Sequence, residues 1–402
     1  MTSAHLAVNA IGLLASMLAL GWLWQAIAGL RGIPTLPDLL HSGAALPGLD
    51  ASEGPDVTVI VPACNEEESI EATLRSLLAS TGVRMQIVAI DDRSTDRTGE
   101  RMDAVAKEAL AAGGPHTLEV IHNCELPAGW LGKAHALALG AKRAQARWLL
   151  FTDGDMKFDA RAVTLGLGYA IVECADHVVL LFTLELESAA EAAVFGAFQA
   201  LAGWNLRLWK VADPKARDFF GAGGFNLVRR AVYEQVGGFE GLRMEVVEDL
   251  RLAWKVKRAG FAQRVVTGAG LVHIRWIKGA LGIVGLMEKN GFAGLRYRVG
   301  LALLAFVGFG VQIVLPLVAM VMGGWAAVAG VLTYAFIALT YAANRRVTQA
   351  SPWVAIFFAP ATGILLFALV RSTVLTLWRG GVVWRGTLYP LEELRRNAGS
   401  WR

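Results

Sequence analysis

Two kinds of hydrophobic pattern divide the chain. Residues 6–30, 301–322, 325–343 and 353–378 are long and nearly unbroken apolar runs, whereas residues 56–276 mix short apolar runs with polar stretches. About 20 apolar residues in a helix are enough to cross a hydrocarbon core of about 30 Å. The long runs are therefore predicted to be membrane segments, and the middle region is predicted to be a folded domain.

Within this domain, strand-like and helix-like patterns alternate. Residues 57–61 and 86–90 are short β-branched runs that predict buried strands. The helical pattern between them has one apolar face, formed by Ile70, Leu74, Leu77 and Leu78. Such alternation predicts a doubly wound α/β sheet.

Acidic residues follow three of the predicted strands. Asp153 and Asp155 flank Gly154 after the apolar run that ends at Thr152, and Asp91 and Asp92 follow the strand at 86–90. Ligands bind outside the carboxyl ends of strands in open α/β sheets. An Asp-Gly-Asp sequence there supplies oxygen ligands suited to Mg²⁺ or Mn²⁺ bridged to a diphosphate, although surface turns also carry this pattern.

The first strand ends in Pro62-Ala63-Cys64-Asn65-Glu66-Glu67-Glu68. Two interpretations stay open for this stretch. Asn65 can cap a helix whose N-terminus the glutamates favour through the helix dipole, or the stretch can hold a nucleotide.

Composition places part of the chain in a bilayer. Hydrophobic residues make up 55% of the 402 residues, and the mean hydropathy is +0.46, which is too apolar for an ordinary soluble enzyme. The net charge of +4 suits anionic lipid headgroups, while the absence of a Lys/Arg-rich block argues against nucleic-acid binding. Three scattered cysteines fit neither a disulfide framework nor a zinc site, which favours a reduced, cytosolic catalytic part.

The N-terminal run is predicted to be an anchor that includes residues 1–31. A cleaved signal peptide is the alternative, but no Lys or Arg precedes the run and it is longer than a usual signal-peptide core. Arg31 follows directly and places the next segment in the cytoplasm by the positive-inside rule. Residues 32–55 are rich in Pro, Gly and small polar residues and are predicted to be a linker.

Five motifs in a fixed order resemble the inverting glycosyltransferases of family 2, which have the GT-A fold. They cover residues 56–276 and are Val61-Pro62-Ala63-Cys64-Asn65-Glu66-Glu67, Asp91-Asp92-Arg93-Ser94-Thr95-Asp96, Gly132-Lys133-Ala134, Thr152-Asp153-Gly154-Asp155 and Glu248-Asp249. The resemblance implies that the chain is an enzyme, a hexosyltransferase, with a nucleotide-sugar donor.

The resemblance also carries roles onto matching positions. It implies that Glu66 and Asp92 hold the uracil and ribose, that Lys133 lies near the diphosphate, and that Asp153 and Asp155 hold Mg²⁺ or Mn²⁺. Asp249 would be the catalytic base, with Glu248 as the lesser candidate or as a residue that orients Asp249 or caps the following helix. The remaining positions assigned to the donor site are Pro62, Asn65, Asp91, Asp153 and Gly224.

Two further motifs refine the resemblance. The stretch from Gly221 to Asn226, which precedes a predicted helix from Arg229, is either a flexible loop or a backbone surface beside the sugar pocket. Processive relatives carry Gln-x-x-Arg-Trp where this chain has Val272, His273, Ile274, Arg275 and Trp276. Arg275 and Trp276 are retained and assigned to the catalytic site, but Val272 replaces the Gln and argues against a polymer-extruding synthase. His273 is either a packed strand residue or a ligand.

The acceptor is predicted from the apolar segments that flank the motifs. Residues 189–211 form either a core helix or a helix at the bilayer surface, and residues 277–298 are predicted to be interfacial. The active site would then open toward the membrane. The tail motif Val383-Trp384-Arg385-Gly386-Thr387-Leu388-Tyr389 resembles one in ceramide glucosyltransferases and in hopanoid- and carotenoid-associated glycosyltransferases, which favours a lipid acceptor.

The C-terminal membrane region, 299–378, does not give a simple topology. Four spans would leave the basic tail, 379–402, outside, against the positive-inside rule. Either the third C-terminal segment, interrupted by Pro360 and Gly363 and carrying Arg371, is re-entrant or interfacial, or the charge bias fails here. The first alternative is favoured.

The sequence thus predicts a multi-pass protein of the inner (plasma) membrane with a cytoplasmic catalytic domain. Its function would be metal-dependent transfer of a single sugar to a membrane lipid from a nucleotide sugar, which the resemblance implies is a UDP-sugar. The alternatives are a processive polysaccharide synthase and a non-catalytic nucleotide-sugar-binding membrane protein. Sugar, acceptor and oligomeric state are left open.

Overall fold

A computed structural model describes residues 3–42, 54–276, 278–348 and 350–398. Residues 43–53 of the predicted linker at 32–55, and the last tail arginine, Arg402, lie outside the described residues. The chain folds into two compact units. The helical unit comprises Met1–Thr35, Leu184–Arg207 and Trp276–Arg395, and the sheet unit comprises Leu36–Thr183, Leu208–Arg275 and Arg396–Arg402.

The elements are numbered in chain order. The strands are β1 Val57–Ala63, β2 Met85–Asp92, β3 Thr117–Asn123, β4 Trp148–Phe151, β5 Lys157–Phe158, β6 His177–Leu180, β7 Thr183–Leu184, β8 Asn226–Arg229, β9 Gln263–Val266, β10 Val272–Ile274, β11 Gly381–Trp384 and β12 Thr387–Pro390. The helices are α1 Ser3–Gly32, α2 Ile70–Leu78, α3 Thr98–Ala112, α4 Gly132–Arg143, α5 Ala162–Val172, α6 Ala189–Ala202, α7 Arg230–Gln235, α8 Glu248–Arg258, α9 Gly282–Gly294, α10 Val299–Met322, α11 Gly324–Thr348, α12 Phe358–Arg379 and α13 Leu391–Asn397. Four short 3₁₀ helices lie at Ile33–Thr35, Leu208–Lys210, Phe239–Leu242 and Pro352–Phe357.

The core of the sheet unit is a seven-stranded sheet in the order β3-β2-β1-β4-β8-β6-β9. Strands β3, β2, β1 and β4 are parallel, β8 is antiparallel to both neighbours, and β6 and β9 are parallel to each other. Every residue of β1 is buried, as expected for a strand covered on both faces. The sheet confirms the predicted α/β class, with one antiparallel strand that the sequence analysis did not anticipate.

That strand, β8, precedes a predicted helix. The helix expected from Arg229 is present as α7, which starts at Arg230, but the short strand β8 before it was not anticipated. Buried polar side chains connect β8 to β6 and β9. His177 of β6 forms a hydrogen bond with Asn226 of β8 through one ring nitrogen. Its other ring nitrogen lies 2.6 Å from Nε2 of Gln263 in β9. Because burial lowers the pKa of His177 to about 4, its ring is neutral at neutral pH.

In the helical unit, α1 and α11 run side by side in the same direction. Trp325 Nε1 donates to Asn9 Oδ1 at 3.1 Å near their starts, and Arg346 donates to the Pro34 carbonyl at 3.3 Å near their ends. Helices α10 and α11 form an antiparallel pair through a turn at Gly323 and Gly324, both of which have positive φ. Among the described residues, four helical segments are long and apolar enough to cross a membrane: His5–Thr35, Val299–Met322, Gly324–Thr348 and Pro352–Arg379.

Two apolar segments differ in detail from their predictions. Helix α6 ends at Ala202, so residues 189–211 do not form one continuous helix. Helix α12, in contrast, continues through Pro360 and Gly363, which were expected to interrupt it. Pro360 lies in the first turn of α12, where a backbone N–H has no partner within the helix, and it therefore costs no helical hydrogen bond.

Candidate active site

The carboxyl ends of β2, β1 and β4 meet at one edge of the sheet, because these strands are parallel neighbours. The edge carries Asp92 at the end of β2, the loop with Glu66 after β1, and Asp153 after β4. The turn at Gly154 is held by Thr73, whose hydroxyl donates to the Gly154 carbonyl at 2.9 Å. The acidic residues that follow these three strands therefore lie at the same edge of the sheet.

Lys133 is the centre of the charged cluster at this edge. It lies in the first turn of α4, and its Nζ is 2.6 Å from Asp153 Oδ1 and 2.7 Å from Glu248 Oε1. Burial alone would lower the pKa of Lys133, but the charges on Asp153, Glu248 and Asp249 outweigh it, and the pKa lies well above the usual value. Lys133 is therefore a permanent cation that joins the Asp-Gly-Asp turn to the start of α8.

The Glu-Asp pair opens helix α8. Glu248 is buried against Lys133, and Asp249 Oδ1 accepts a hydrogen bond from the Leu250 N–H at 2.7 Å. Burial and the neighbouring charge on Glu248 raise the pKa of Asp249 to about 7. A carboxyl group with that pKa can take up a proton near neutral pH, as a general base must.

Asp155 is the second carboxyl group with a strongly shifted pKa. Burial, Asp153 and Glu66 raise its pKa to about 7, against an opposing effect of Lys133. Asp153, Asp155, Glu248 and Asp249 thus interact electrostatically with one lysine, and Glu66 acts on Asp155. The cluster carries excess negative charge, which a bound cation would relieve.

Two glycines bring backbone against this cluster. A Cβ atom at Gly223 would overlap the Asp153 carboxylate, and a Cβ atom at Gly221 would overlap the backbone carbonyl of Asp249. Gly224, the glycine assigned from sequence, instead packs against Met156 and Phe182 and accepts the Thr152 hydroxyl at its carbonyl, 2.8 Å away. The backbone of residues 221–224 therefore packs closely against the acidic cluster, and Gly221 and Gly223 are the residues of this stretch nearest the acids.

Asp92 lies at the other side of the edge and is already paired. Arg93 binds its two oxygens at 2.9 and 3.0 Å, and Asn123 Nδ2 donates to Oδ1 at 2.7 Å. A Cβ atom at Gly132 would meet Asp92 Oδ2 at 2.5 Å, so this glycine lets α4 begin beside the carboxylate. Asp92 is thus held in one orientation beside the N-terminus of α4.

Other residues assigned to the donor site have structural partners. Asp91 points to His122, 3.1 Å away, and accepts from the Ser94 N–H. Asn65 has positive φ and accepts from the Thr95 N–H at 2.8 Å. It is not the cap of α2, because that helix starts at Ile70. Pro62 is a buried residue of β1.

The last motif lies at β10. His273 is a strand residue whose ring bonds the Gly270 carbonyl at 2.8 Å. Arg275 directly follows the strand, and Trp276 packs edge-on against Phe195 and Phe198 in the helical unit. A catalytic role for Arg275 and Trp276 stays a prediction.

The donor set fits a divalent cation only in part. Within the described residues, no three His, Cys, Asp or Glu side chains converge on a point that could hold a metal ion. Asp153 and Asp155 offer carboxylate oxygens, and Mg²⁺ is commonly bound by one or two carboxylates together with substrate phosphates. These two residues and the excess negative charge of the cluster therefore fit a metal ion whose remaining ligands come from a bound diphosphate.

Two residues at the edge received no role from the sequence, Arg93 and Asn123, and the stretch from Gly221 to Asn226 was singled out without identifying which glycines meet the acids. Arg93 has positive φ, which an Arg seldom adopts, and no sequence pattern shows that. Asn123 ends β3, and the rule that strand ends share an edge could have identified it. Gly223 could have been found from the glycine-rich stretch, but its contact with Asp153 depends on the antiparallel pairing of β8 with β4.

Part of the sequence matches the profile of a known protein family. The sequence profile of Glycosyl transferase family 2 matches residues 58–237. The chain is 33% identical over 103 residues to 4,4'-diaponeurosporenoate glycosyltransferase of Staphylococcus haemolyticus, covering 26% of this chain and 25% of that protein. It is 27% identical over 244 residues to dolichyl-phosphate beta-glucosyltransferase of Drosophila melanogaster, covering 57% and 69%. The first of these matches thus spans only a quarter of the relative's length.

A solved structure extends the likeness over most of the chain. A mannosyltransferase from Pyrobaculum calidifontis, in complex with GDP-Man and Mn²⁺, superimposes with a TM-score of 0.53 at 17% identity, over 92% of this chain and 99% of that one. At this identity the likeness concerns the fold. It confirms the predicted GT-A class.

Proposed function

Since residues 58–237 match the sequence profile of Glycosyl transferase family 2, we propose that the chain transfers a single sugar from a nucleotide-sugar donor, a UDP-sugar, to a membrane lipid at the cytoplasmic face. The reaction is inverting and metal-dependent. The observation that carries the proposal is the bridge made by Lys133, which joins Asp153 of the Asp-Gly-Asp turn to Glu248 beside Asp249. Lys133 and Asp153, which are suited to binding a diphosphate, therefore lie next to Asp249, which is suited to removing a proton.

Asp249 is the proposed base. It takes the proton from an acceptor hydroxyl while the hydroxyl oxygen attacks the anomeric carbon of the sugar. The bond from that carbon to the diphosphate oxygen breaks, and the nucleoside diphosphate leaves with the electron pair. Because attack and departure occur on opposite sides of the carbon, the configuration inverts. The pKa of Asp249, about 7, suits this task at neutral pH.

Lys133 stabilises the negative charge that develops on the departing diphosphate. It is a buried cation on the first turn of α4, where the helix N-terminus adds to the favourable potential. Asp153 and Asp155 would hold Mg²⁺ or Mn²⁺, which when bound would neutralise phosphate oxygens. Glu248 positions Lys133 through its 2.7 Å ion pair.

The proposed acceptor rests on two observations outside the sheet unit. Four helical segments are long and apolar enough to cross a membrane, and the two relatives described above are named for diaponeurosporenoate and dolichyl phosphate, which are lipid acceptors. We assign an acceptor hydroxyl rather than an acceptor phosphate, because only a hydroxyl needs the base that Asp249 supplies.

Release of the free nucleoside diphosphate tests the proposal. Detergent-purified protein would be given UDP-glucose, UDP-galactose, UDP-N-acetylglucosamine or GDP-mannose, with Mn²⁺ or EDTA, and with or without a total lipid extract. We expect release from one UDP-sugar that requires Mn²⁺, increases with lipid, and is lost in Asp155→Ala and Asp249→Asn. Release from GDP-mannose alone would overturn the choice of donor. Folded protein that releases nothing from any donor would overturn the enzymatic assignment.

A further inference from the structure

The C-terminal tail motif forms a β-hairpin that the proposed reaction does not use. Strands β11 and β12 pair antiparallel with Val383 opposite Leu388 and Val382 opposite Tyr389. Arg385 and Gly386 connect them, both with positive φ (47° and 78°). Positive φ at both central positions is the signature of the type I′ turn, which matches the twist of a tight hairpin.

One face of the hairpin is fixed to the helical unit. Val382 and Tyr389 are buried on this face. Lys289 of α9 lies over the Trp384 ring, with Nζ 3.8 Å from the ring centre. Arg395 of α13 donates to the Tyr297 carbonyl, just after α9, at 3.1 and 3.3 Å. These contacts hold the hairpin rigidly against α9.

The opposite face is apolar and exposed. Val383 and Leu388, which face each other across the two strands, are 42% and 50% exposed. Packing of the hairpin against α9 does not require these side chains to be apolar, because they point away from it. A rigid hairpin with one buried and one exposed apolar face has a surface available for another partner.

The position of the hairpin identifies that partner. Only Gly380, in the left-handed cap of α12, separates the hairpin from the long apolar helix. Trp378, 80% exposed, and Arg379 end that helix. Aromatic and basic residues at the end of an apolar helix are typical of the membrane–water interface. The hairpin must therefore lie within a few residues of the bilayer surface.

We propose that the hairpin is a lipid-docking element that binds the surface of a bilayer with anionic headgroups. Val383 and Leu388 enter the boundary between headgroups and acyl chains, and exposed Arg385 at the tip of the turn faces the phosphates. The arginines at 385, 395 and 396 outnumber Glu392 and Glu393, which makes the tail complementary to negative charge. The proposal rests on membrane association of the helices, and it does not depend on the reaction.

A fluorescent label on the exposed face tests the docking. In a variant without Cys64, Cys124 and Cys174, Val383→Cys would be labelled with NBD, and the full chain reconstituted in nanodiscs of phosphatidylcholine with about 30 mol% phosphatidylglycerol. Leu110→Cys is the matched control, because Leu110 is also an exposed apolar residue, at 85%, on α3 of the sheet unit. We expect dithionite to reduce the label at position 383 roughly fivefold more slowly than the label at 110.

The anionic part of the proposal has its own comparison. Replacing phosphatidylglycerol by phosphatidylcholine should speed reduction at position 383, and Arg385→Gln should remove that dependence on lipid charge. Equal reduction rates at 383 and 110 in both lipids would overturn the docking. Slow reduction at 383 that does not change with lipid charge would overturn the anionic preference. Neither result involves sugar transfer, so failure here is distinct from failure of the proposed function.

Discussion

At the scale of single residues, one partly buried cation controls the charge balance of the candidate site. Lys133 contacts Asp153 and Glu248 directly, and it opposes the rise in pKa that burial causes at Asp155 and Asp249. Removing one partner from a buried ion pair leaves uncompensated charge, which costs far more than losing an exposed pair. The role of Lys133 is therefore structural as well as electrostatic.

Lys133→Met should lower both stability and activity. We expect a loss of about 3–5 kcal/mol in the free energy of unfolding at neutral pH, because three nearby carboxylates lose their counter-ion. Sugar transfer should fall roughly 10²- to 10³-fold. Thermal unfolding and nucleotide release would measure the two effects.

Lys142→Met is the matched control for this variant. Lys142 lies on the same helix and pairs with Glu240 at 2.7 Å, but both side chains are exposed. Its removal should leave the melting temperature and the activity nearly unchanged. Similar losses in both variants would mean that the buried pairs of Lys133 have no special importance.

The raised pKa of Asp249 gives the activity a defined pH dependence. Below about 7 the carboxyl group is protonated and cannot accept a proton from the acceptor. The value of kcat/KM should therefore fall about tenfold per pH unit on the acidic side and level off above the pKa.

Asp249→Asn is expected to remove most of the activity over the whole pH range, while Asp213→Asn, at an exposed acid of the same unit, should retain the wild-type profile. Donor binding by Asp249→Asn, measured by calorimetry, should persist. Near-normal transfer by Asp249→Asn would contradict the hydroxyl acceptor and point to a phosphate acceptor.

At the scale of elements, the loop before β8 determines how closely backbone approaches the acids. Thr152 holds Gly224 at the end of β4, and the next glycine, Gly223, lies against the Asp153 carboxylate. The antiparallel pairing of β4 with β8 places this loop at the same edge as the Asp-Gly-Asp turn. No larger residue fits at position 223 without moving Asp153.

Gly223→Ala should therefore impair metal-dependent transfer while the protein stays folded. The added methyl group overlaps Asp153 Oδ2, so we expect activity to fall about tenfold or more, since small misplacement of a catalytic group is costly. The apparent Mn²⁺ requirement should rise in a titration of activity. Gly114→Ala is the control, because a Cβ atom there meets nothing within 4 Å. Unchanged activity in Gly223→Ala would show that the loop can move away without cost.

Individual elements also show how far the sequence could be interpreted. Strands β1 and β2 and helix α2 follow directly from short apolar runs and one apolar helical face, and the acids after β1, β2 and β4 follow from the rule that ligands bind at strand ends. Two features depend on tertiary pairing instead. The short strand β8 has no periodicity to distinguish it from a loop, and the pairing of Asp92 with Arg93 requires a positive φ that no pattern predicts.

At the scale of the whole molecule, the helical unit explains the conflict in membrane topology. Helices α10 and α11 are antiparallel, so the start of α10 and the end of α11 lie on one face. Helix α9, just before α10, binds the C-terminal part of α12. Glu288 of α9 pairs with Arg371 at 3.1 Å and with Arg379 at 2.8 Å. The Ser372 hydroxyl of α12 accepts a hydrogen bond from the Phe292 N–H of α9 at 3.0 Å. The end of α12 therefore returns to the face from which α10 starts.

The beginning of α12 lies away from that face, beside the interior of α1. Phe358 packs edge-on against Trp22, which is ten residues before the end of α1 and hence about 15 Å from it along the helix axis. The short helix Pro352–Phe357 leads from the end of α11 to this depth, and α12 leads back. Such a path enters and leaves on one face, so we infer that α1, α10 and α11 span the bilayer and that α12 is re-entrant. The basic residues after α12 then join Arg31, Arg345 and Arg346 on the same face, in agreement with the positive-inside rule.

Cysteine accessibility tests this topology. In a cysteine-free background, Ala398→Cys and Leu110→Cys should react with a membrane-impermeant maleimide only after the cells are permeabilised, because both positions would be cytoplasmic. His5→Cys, at the start of α1, should react in intact cells, since α1 runs from the outer to the inner face. If Ala398→Cys instead reacted in intact cells together with His5→Cys, α12 would have to cross the bilayer completely. The contacts of α9 with Arg371 and Arg379 would then have to form across the membrane, which a 13-residue helix beside the start of α10 cannot do.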